Sequence, residues 1–379
     1  MIYLDNAATS NQKPYSVKKA VWNALSHPVN VGRNSGRESF LYAEKILGVR
    51  ESIAQLLHIE YSENIVFTSN ASHGLNLAIK GFLKPNDHVI LTLYEHNSVL
   101  RQLYQKEKNP ICFLPCYPDH RVNFEQMEQL ILPNTALLVV NAASNVTGAT
   151  VDYKKIYQKA NQLGLTVLFD FSQAIGNIDI DLSECKRCMA VFSGHKSLLG
   201  PQGTGVLYVS PDIALSPVLE GGTGSLSNEL FQPDFLPDQL EIGTLNVPGI
   251  LGLGKGVEFV KANKPEALLH HKLELIQYTY DALQNMKHIK VYHNGDFQNS
   301  VGILSFNVSN AHSELIARIL SEKYHISTRG GYHCAPFAHR ELGTENQGAV
   351  RVSPGYKTTK KEMTKLLDAI YKIQTNSEY

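Results

Sequence analysis

Met189–Ser210 reads "MAVFSGHKSLLGPQGTGVLYVS": an apolar run of strand length, then Ser193-Gly194-His195-Lys196, a glycine-rich turn and a second apolar run. Runs this short and β-branched, bounded by polar residues or glycine, read as buried strands. Four more precede it: "NIVFTS", "HVILTL", "ALLVVNA" and "TVLFDF". Between them lie segments with helical spacing, such as "ASHGLNLAIKGFL" and "DYKKIYQKANQLG", the latter closed by Gly164 in the C-cap position. This alternation predicts an α/β fold, a mostly parallel sheet covered on both faces. After "GTLNVPGILGLGKGVEFV" the character changes to a long helix, short strands, the helix "SELIARILSEKY" and a last helix "TKKEMTKLLDAIYKIQ". The expected division is a large α/β domain over 16–249 and a small α+β domain over 250–379, to which the N-terminal segment 1–15 is joined.

Ligands of parallel sheets bind beyond the carboxyl ends of the strands, and Lys196 falls at such an end. A partly desolvated lysine there has its pKa lowered enough to form a Schiff base; taken alone, it reads as a solvated strand-end lysine. The stretch "TVLFDFSQAIG" changes that reading. It ends a buried strand with Asp170 and places Gln173 three residues later. A carboxylate finishing an apolar strand needs a partner. A helix N-cap would serve, and so would a protonated pyridine nitrogen, whose charge makes the ring an electron sink. A lysine and an aspartate ending neighbouring strands together point to pyridoxal phosphate.

Composition narrows the rest. The 379 residues carry 35 basic and 35 acidic side chains, so no basic footprint for nucleic acid or an anionic membrane stands out. No apolar run is long enough to span a bilayer, and "MIYLDNAATS" does not read as a secretory signal. A cytoplasmic protein is expected. Cys112, Cys116, Cys185, Cys188 and Cys334 are too few for a disulfide scaffold. The first four form CxxxC and CxxC pairs that nothing in the sequence brings together, so no metal site is expected.

Eight stretches, "YLDNAATS", "FTSNASHGLNLA", "YEHNSVL", "NAASNVTG", "FDFSQAIG", "FSGHKSLLGPQGTG", "EIGTLNVPG" and "RGGYHCAP", occur in the order found in the class V aminotransferase group of fold-type I pyridoxal-phosphate enzymes. The chain resembles the cysteine desulfurase and selenocysteine lyase branch over nearly its whole length. The resemblance implies that Ala71 and Ser72, opening a helix whose free N–H groups favour anions, hold the cofactor phosphate with His73 beside them. It adds contacts from Ser193 and His195, lays His96 over the cofactor ring as a proton relay, and makes Asn145 and Gln173 donors to the phenolic oxygen. Related chains usually carry Thr-Glu where this one has Ser72-His73, so His73 alters the local charge. Thr244 would reach the phosphate of a neighbouring subunit, which implies a homodimer with shared active sites; Thr223 in "EGGTGS" reads as another loop at that edge. Arg351, with Asn145, would capture the substrate carboxylate, and Arg33 would stand at the substrate entrance. Where relatives carry an asparagine shortly after the tyrosine, this chain has Lys357-Thr358-Thr359.

The stretch "STRGGYHCAP" (Ser327–Pro336) puts a thiol on what reads as an exposed, turning loop. By resemblance, Cys334 attacks the sulfur of L-cysteine once Lys196 has released the cofactor to it, leaving alanine and a protein persulfide for a sulfur-acceptor protein. Positive surroundings, Arg329 or a protonated His333, would favour the thiolate, and Gly330 and Gly331 would give the loop freedom to move. Selenocysteine lyase, or another class V lyase or aminotransferase, is the alternative; L-selenocysteine would then be the substrate, with Cys334 dispensable. A non-enzymatic sulfur-relay module on the same fold is the third reading.

Overall fold

The computed structural model describes residues 1–31, 36–105 and 109–375. A two-residue strand, β1 (Ile2–Tyr3), precedes helices α1 (Tyr15–Ser26) and α2 (Arg37–Leu56). The main sheet follows: β2 (Ile65–Thr68), β3 (His88–Leu91), β4 (Ile111–Phe113), β5 (Thr135–Asn141), β6 (Thr166–Asp170), β7 (Cys188–Ser193) and β8 (Gly205–Val209). Their order across the sheet is β2-β8-β7-β6-β5-β3-β4. Neighbours from β7 through β4 are parallel, and β8 runs antiparallel to both of its partners. Helices α3 (Ala71–Phe82), α4 (Asn97–Gln105) and α5 (Tyr153–Gln162) lie in the connections. Gly164 takes φ +73 just past α5, the left-handed turn that glycine accepts without strain.

The strands are continuous apolar runs because both faces of the sheet are covered. Val167, Phe169, Ala190 and Phe192 point into one core, while Leu168, Met189 and Val191 point into another, as the two-residue period of a strand requires. On the first side α6 (Val247–Asn263) buries Val247, Ile250, Leu253 and Val257 and packs against α1 and α2. A Cβ on its Gly252 would lie 2.7 Å from side-chain atoms of Pro201 and Val21, so glycine there sets how closely the helix approaches.

Beyond α6 come α7 (Pro265–Gln284), β9 (Ile289–Val291), β10 (Leu304–Val308), α8 (Ser313–Tyr324), β11 (Ile326–Ser327), α9 (Pro336–Glu341), β12 (Val350–Val352) and α10 (Lys360–Gln374). An antiparallel sheet of order β12-β10-β9 packs with α7, α8 and α10 around a third core. The N-terminal strand β1 pairs in parallel with β11, and Leu4 joins that core. Asp5 is thereby carried to a bridge with Ser353, just after β12. Among the described residues no helix is long and apolar enough to cross a membrane.

Candidate active site

The carboxyl ends of β3, β5, β6 and β7 and the N-terminus of α3 meet at one edge of the sheet, around a cavity of about 760 Å³. Ala71, Ser72, His96, Asn145, Asp170, Gln173, Ser193, His195, Lys196 and Arg351 all line it. The register makes this inevitable once the strands pair: Asp170 lies beside Asn141 of β5 and Val191 of β7, so residues following each strand converge.

Lys196 follows β7, and desolvation lowers its pKa to about 8, with Arg351 and Arg329 acting in the same direction and Asp170 opposing. Asp170 is buried and accepts the Ser172 N–H at 2.8 Å. His96 is held near pKa 4 by burial first and by Lys196 next, so its ring is neutral. Its Nδ1 accepts the Ser98 N–H at 3.0 Å, which leaves the proton on Nε2. His195, likewise lowered to about 4 by burial, meets Thr9 Oγ1 through Nδ1 at 3.0 Å.

At α3, the Asn70 side chain caps the helix by accepting the His73 N–H at 2.9 Å, in the same first turn as Ala71 and Ser72. Ser72 Oγ lies 2.5 Å from Ser98 Oγ. Ser193 Oγ and Asn145 Oδ1 are buried with no partner among the described residues. Gln173 spends one N–H on the Ala7 carbonyl at 3.0 Å and keeps a second.

Arg351 is almost wholly buried in β12. It donates from one terminal nitrogen to Asp5 Oδ1 at 2.7 Å and from the other to the Asn145 carbonyl at 2.9 Å, and its Nε has no partner among the described residues. Two of its five donors are therefore engaged within the chain.

Cys334 follows His333, which lines the cavity, and is half-buried rather than exposed. Arg329 donates from a terminal nitrogen toward its Sγ at 3.8 Å. His333 does not supply positive charge: burial drives its pKa well below the usual value, and its Nε2 meets the Ala349 carbonyl at 3.0 Å. Nor do the glycines make the loop free. A Cβ on Gly330 would fall 2.5 Å from the Ser313 carbonyl, and Gly331, at φ +102, donates its N–H to Ser313 Oγ. Asn97 N–H to the Cys334 carbonyl at 2.7 Å and Asn145 Nδ2 to the His333 carbonyl at 2.6 Å pin the thiol segment from the other side. His333 and Cys334 themselves take φ +49 and +57, a left-handed pair that turns the chain sharply.

Other expected residues lie elsewhere. Thr244 and Thr223 line a separate cavity beside Arg50 and Glu241. His73 receives the Ser69 N–H on Nδ1 while its buried Nε2 has no partner among the described residues, and it does not line the Lys196 cavity. Arg33 lies outside the described residues. Cys112 in β4 and Cys188 in β7 are separated by three strands.

Sequence reasoning missed Glu95. Fully buried between β3 and His96, it accepts from Thr92 Oγ1 at 2.6 Å and the Asn141 N–H at 2.7 Å. Burial pushes its carboxyl up to about 8, with Asp170 adding to the rise. It also missed the use of "DNAATS", which brings Ala7 and Ala8 to the cavity and Asp5 to Arg351. The signal for Glu95 was an acidic residue adjoining a strand-end histidine.

The class-V aminotransferase family model matches residues 2–366. A probable cysteine desulfurase of Methanothermobacter thermautotrophicus is 31% identical, covering 98% of this chain and 94% of that protein. A cysteine desulfurase of Wigglesworthia glossinidia brevipalpis is 30% identical, covering 88% and 84%. Among solved structures, the apo cysteine desulfurase of Thermococcus onnurineus superposes with a TM-score of 0.91 at 27% identity, covering 99% of this chain and 94% of that one. CsdA of Escherichia coli, a cysteine desulfurase in an S-sulfonic acid form, gives 0.86 at 28%, covering 98% and 94%. A lysine, an aspartate and a thiol gathered at the ends of parallel strands thus have relatives along the whole chain, and the chain belongs to the class-V aminotransferase family, in its cysteine desulfurase group.

Proposed function

We propose that the chain is a pyridoxal-phosphate-dependent cysteine desulfurase, converting L-cysteine to L-alanine and passing the sulfur to Cys334 as a persulfide. The observation that carries it is one cavity lined by a desolvated lysine amine, a buried aspartate and Arg329, with Cys334 held beside that arginine. The donor set fits the cofactor. Ser193 Oγ and the first N–H groups of α3 suit a phosphate, and Asp170 suits a protonated ring nitrogen. Asn145 and Gln173 suit the phenolic oxygen. When bound, the cofactor supplies an electron sink that weakens the Cα–H and Cβ–S bonds of the amino acid.

The residues then divide the work. Arg351, with Asn145 beside it, orients the substrate carboxylate. Lys196, with its pKa near 8, takes the Cα proton as a free amine. Neutral His96 holds a proton on Nε2 at the ring. The Cys334 thiolate attacks the substrate sulfur, forming the S–S bond as the Cβ–S bond breaks; the electron pair stays on carbon, and protonation there completes the methyl group of alanine. Thr244 is read as a phosphate contact supplied across a homodimer, His73 as a neighbour of the phosphate site, and the persulfide as cargo for an acceptor protein in the cytoplasm.

Alanine release from L-cysteine under a reductant, with wild type and Cys334→Ala side by side, tests the reading. The variant is expected to keep the visible cofactor band and lose alanine formation. Equal rates in both would remove Cys334 as acceptor and turn the search to selenocysteine.

A further inference from the structure

A second cavity, of about 880 Å³ and open to solvent, lies between the N-terminal segment, α7 and the loop leading to α10. Gln173 and Lys196 form part of the wall it shares with the first, whereas His96, Arg329 and Arg351 line only the first. Into this second space comes Lys272 of α7, nine-tenths buried.

The ammonium of Lys272 donates to Asn177 Oδ1 and has two further N–H donors. Burial lowers its pKa to about 8, and no acidic group among the described residues offsets that shift. A buried cation without a counter-charge is costly. Lys357 adds to the positive lining, and among the described residues the acid on the wall is Glu362, whose Oε2 already accepts the N–H and hydroxyl of Thr359 at 2.8 and 3.0 Å. Leu268 and Ile303 give the cavity apolar surface.

We propose that this cavity is a second ligand site, taking a small carboxylate whose oxygens accept from Lys272 and whose apolar body rests on Leu268 and Ile303. Two free donors beside apolar walls match a monoanion; a phosphate dianion would call for more donors. The site is wired to the first. Asn177, which receives Lys272, donates through Nδ2 to the Gln173 carbonyl at 2.7 Å and to Ser197 Oγ at 3.0 Å. Those two residues adjoin the cofactor-side wall and Lys196.

Propionate titrated into the cofactor-loaded protein, followed by thermal unfolding, is the test. The wild type should gain a saturable few degrees in Tm, and Lys272→Met, which keeps most of the side chain's length without its charge, should gain at most the smaller part that Arg351 supplies. A rise of the same size in K272M would assign the binding to Arg351 and overturn the site, as would no rise in the wild type. Because K272M could disturb packing, methyl-labelled wild-type protein gives an independent reading. Propionate should shift the Ile303 and Leu268 methyl signals over the concentrations that raise Tm; unmoved methyls overturn the proposal whatever the variant does.

Discussion

Cys188 and Cys334 are the same side chain in opposite circumstances. Cys188 opens β7 inside the core, its thiol donates to the Cys185 carbonyl at 3.3 Å, and burial raises its pKa well above the ordinary value. Cys334 stands at φ +57 on a pinned turn, half-buried, with a guanidinium at 3.8 Å. Cys116 falls on the side of Cys188, pushed up to about 12 by burial and then by Glu341. A thiol becomes useful by its surroundings: some access, a nearby cation and a reacting centre across the gap. The turn leaves Cys334 partly accessible beside Arg329, with hydrogen bonds from Asn97 and Asn145 to its segment.

The severest way to break the comparison is to disable the cavity and leave the thiol intact. Lys196→Ala should abolish the lysine-bound visible band and lower turnover by about a thousandfold or more. Alkylation of Cys334 in that variant should continue at close to the wild-type rate, as peptide mapping would record. A variant that lost both together would mean the two regions fold as one unit.

Alkylation sharpens the contrast directly. Limited iodoacetamide should modify Cys334 first and reach Cys185 and Cys188 only after unfolding. Arg329→Met should slow the reaction at Cys334 by about 3–10-fold, because the cation facing the thiolate is gone. Unchanged kinetics would show that the guanidinium is a bystander.

How much of this was legible beforehand follows from range. Asp170 ends an apolar strand, and Lys196, His96 and Asn145 each follow one within a few residues, so local pattern set them at one sheet edge. The pairing of β1 with β11, and hence the Asp5–Arg351 ion pair at 2.7 Å, joins opposite ends of the chain and leaves no local mark. The Cys334 turn was misjudged for the same reason. Gly330 and Gly331 read locally as freedom, but the neighbour that explains Gly330 is the start of α8, seen only in three dimensions.

That correction carries its own prediction. Gly330→Ala would push a methyl against the Ser313 carbonyl and should cost about 1–3 kcal/mol of stability, read from the denaturation midpoint. If the loop were mobile instead, the substitution would be nearly silent. The smallest effect concerns Glu95. Its folded pKa, about 8 against an ordinary 4.5, means the folded state holds a proton that the unfolded state has lost between those values. Its contribution to stability therefore falls as pH rises through that window. Glu95→Gln should flatten the decline of Tm from pH 5 to about 8, and a parallel decline in the variant would remove Glu95 as its source.

The central claim is that one of five thiols accepts the sulfur. The direct measurement is mass spectrometry of peptides from cofactor-loaded protein after brief exposure to L-cysteine without reductant. The account predicts one added sulfur atom on the peptide carrying Cys334 and none on those carrying Cys112, Cys116, Cys185 or Cys188, in step with alanine released. Sulfur on another cysteine, or alanine formed with Cys334 unmodified, would contradict it.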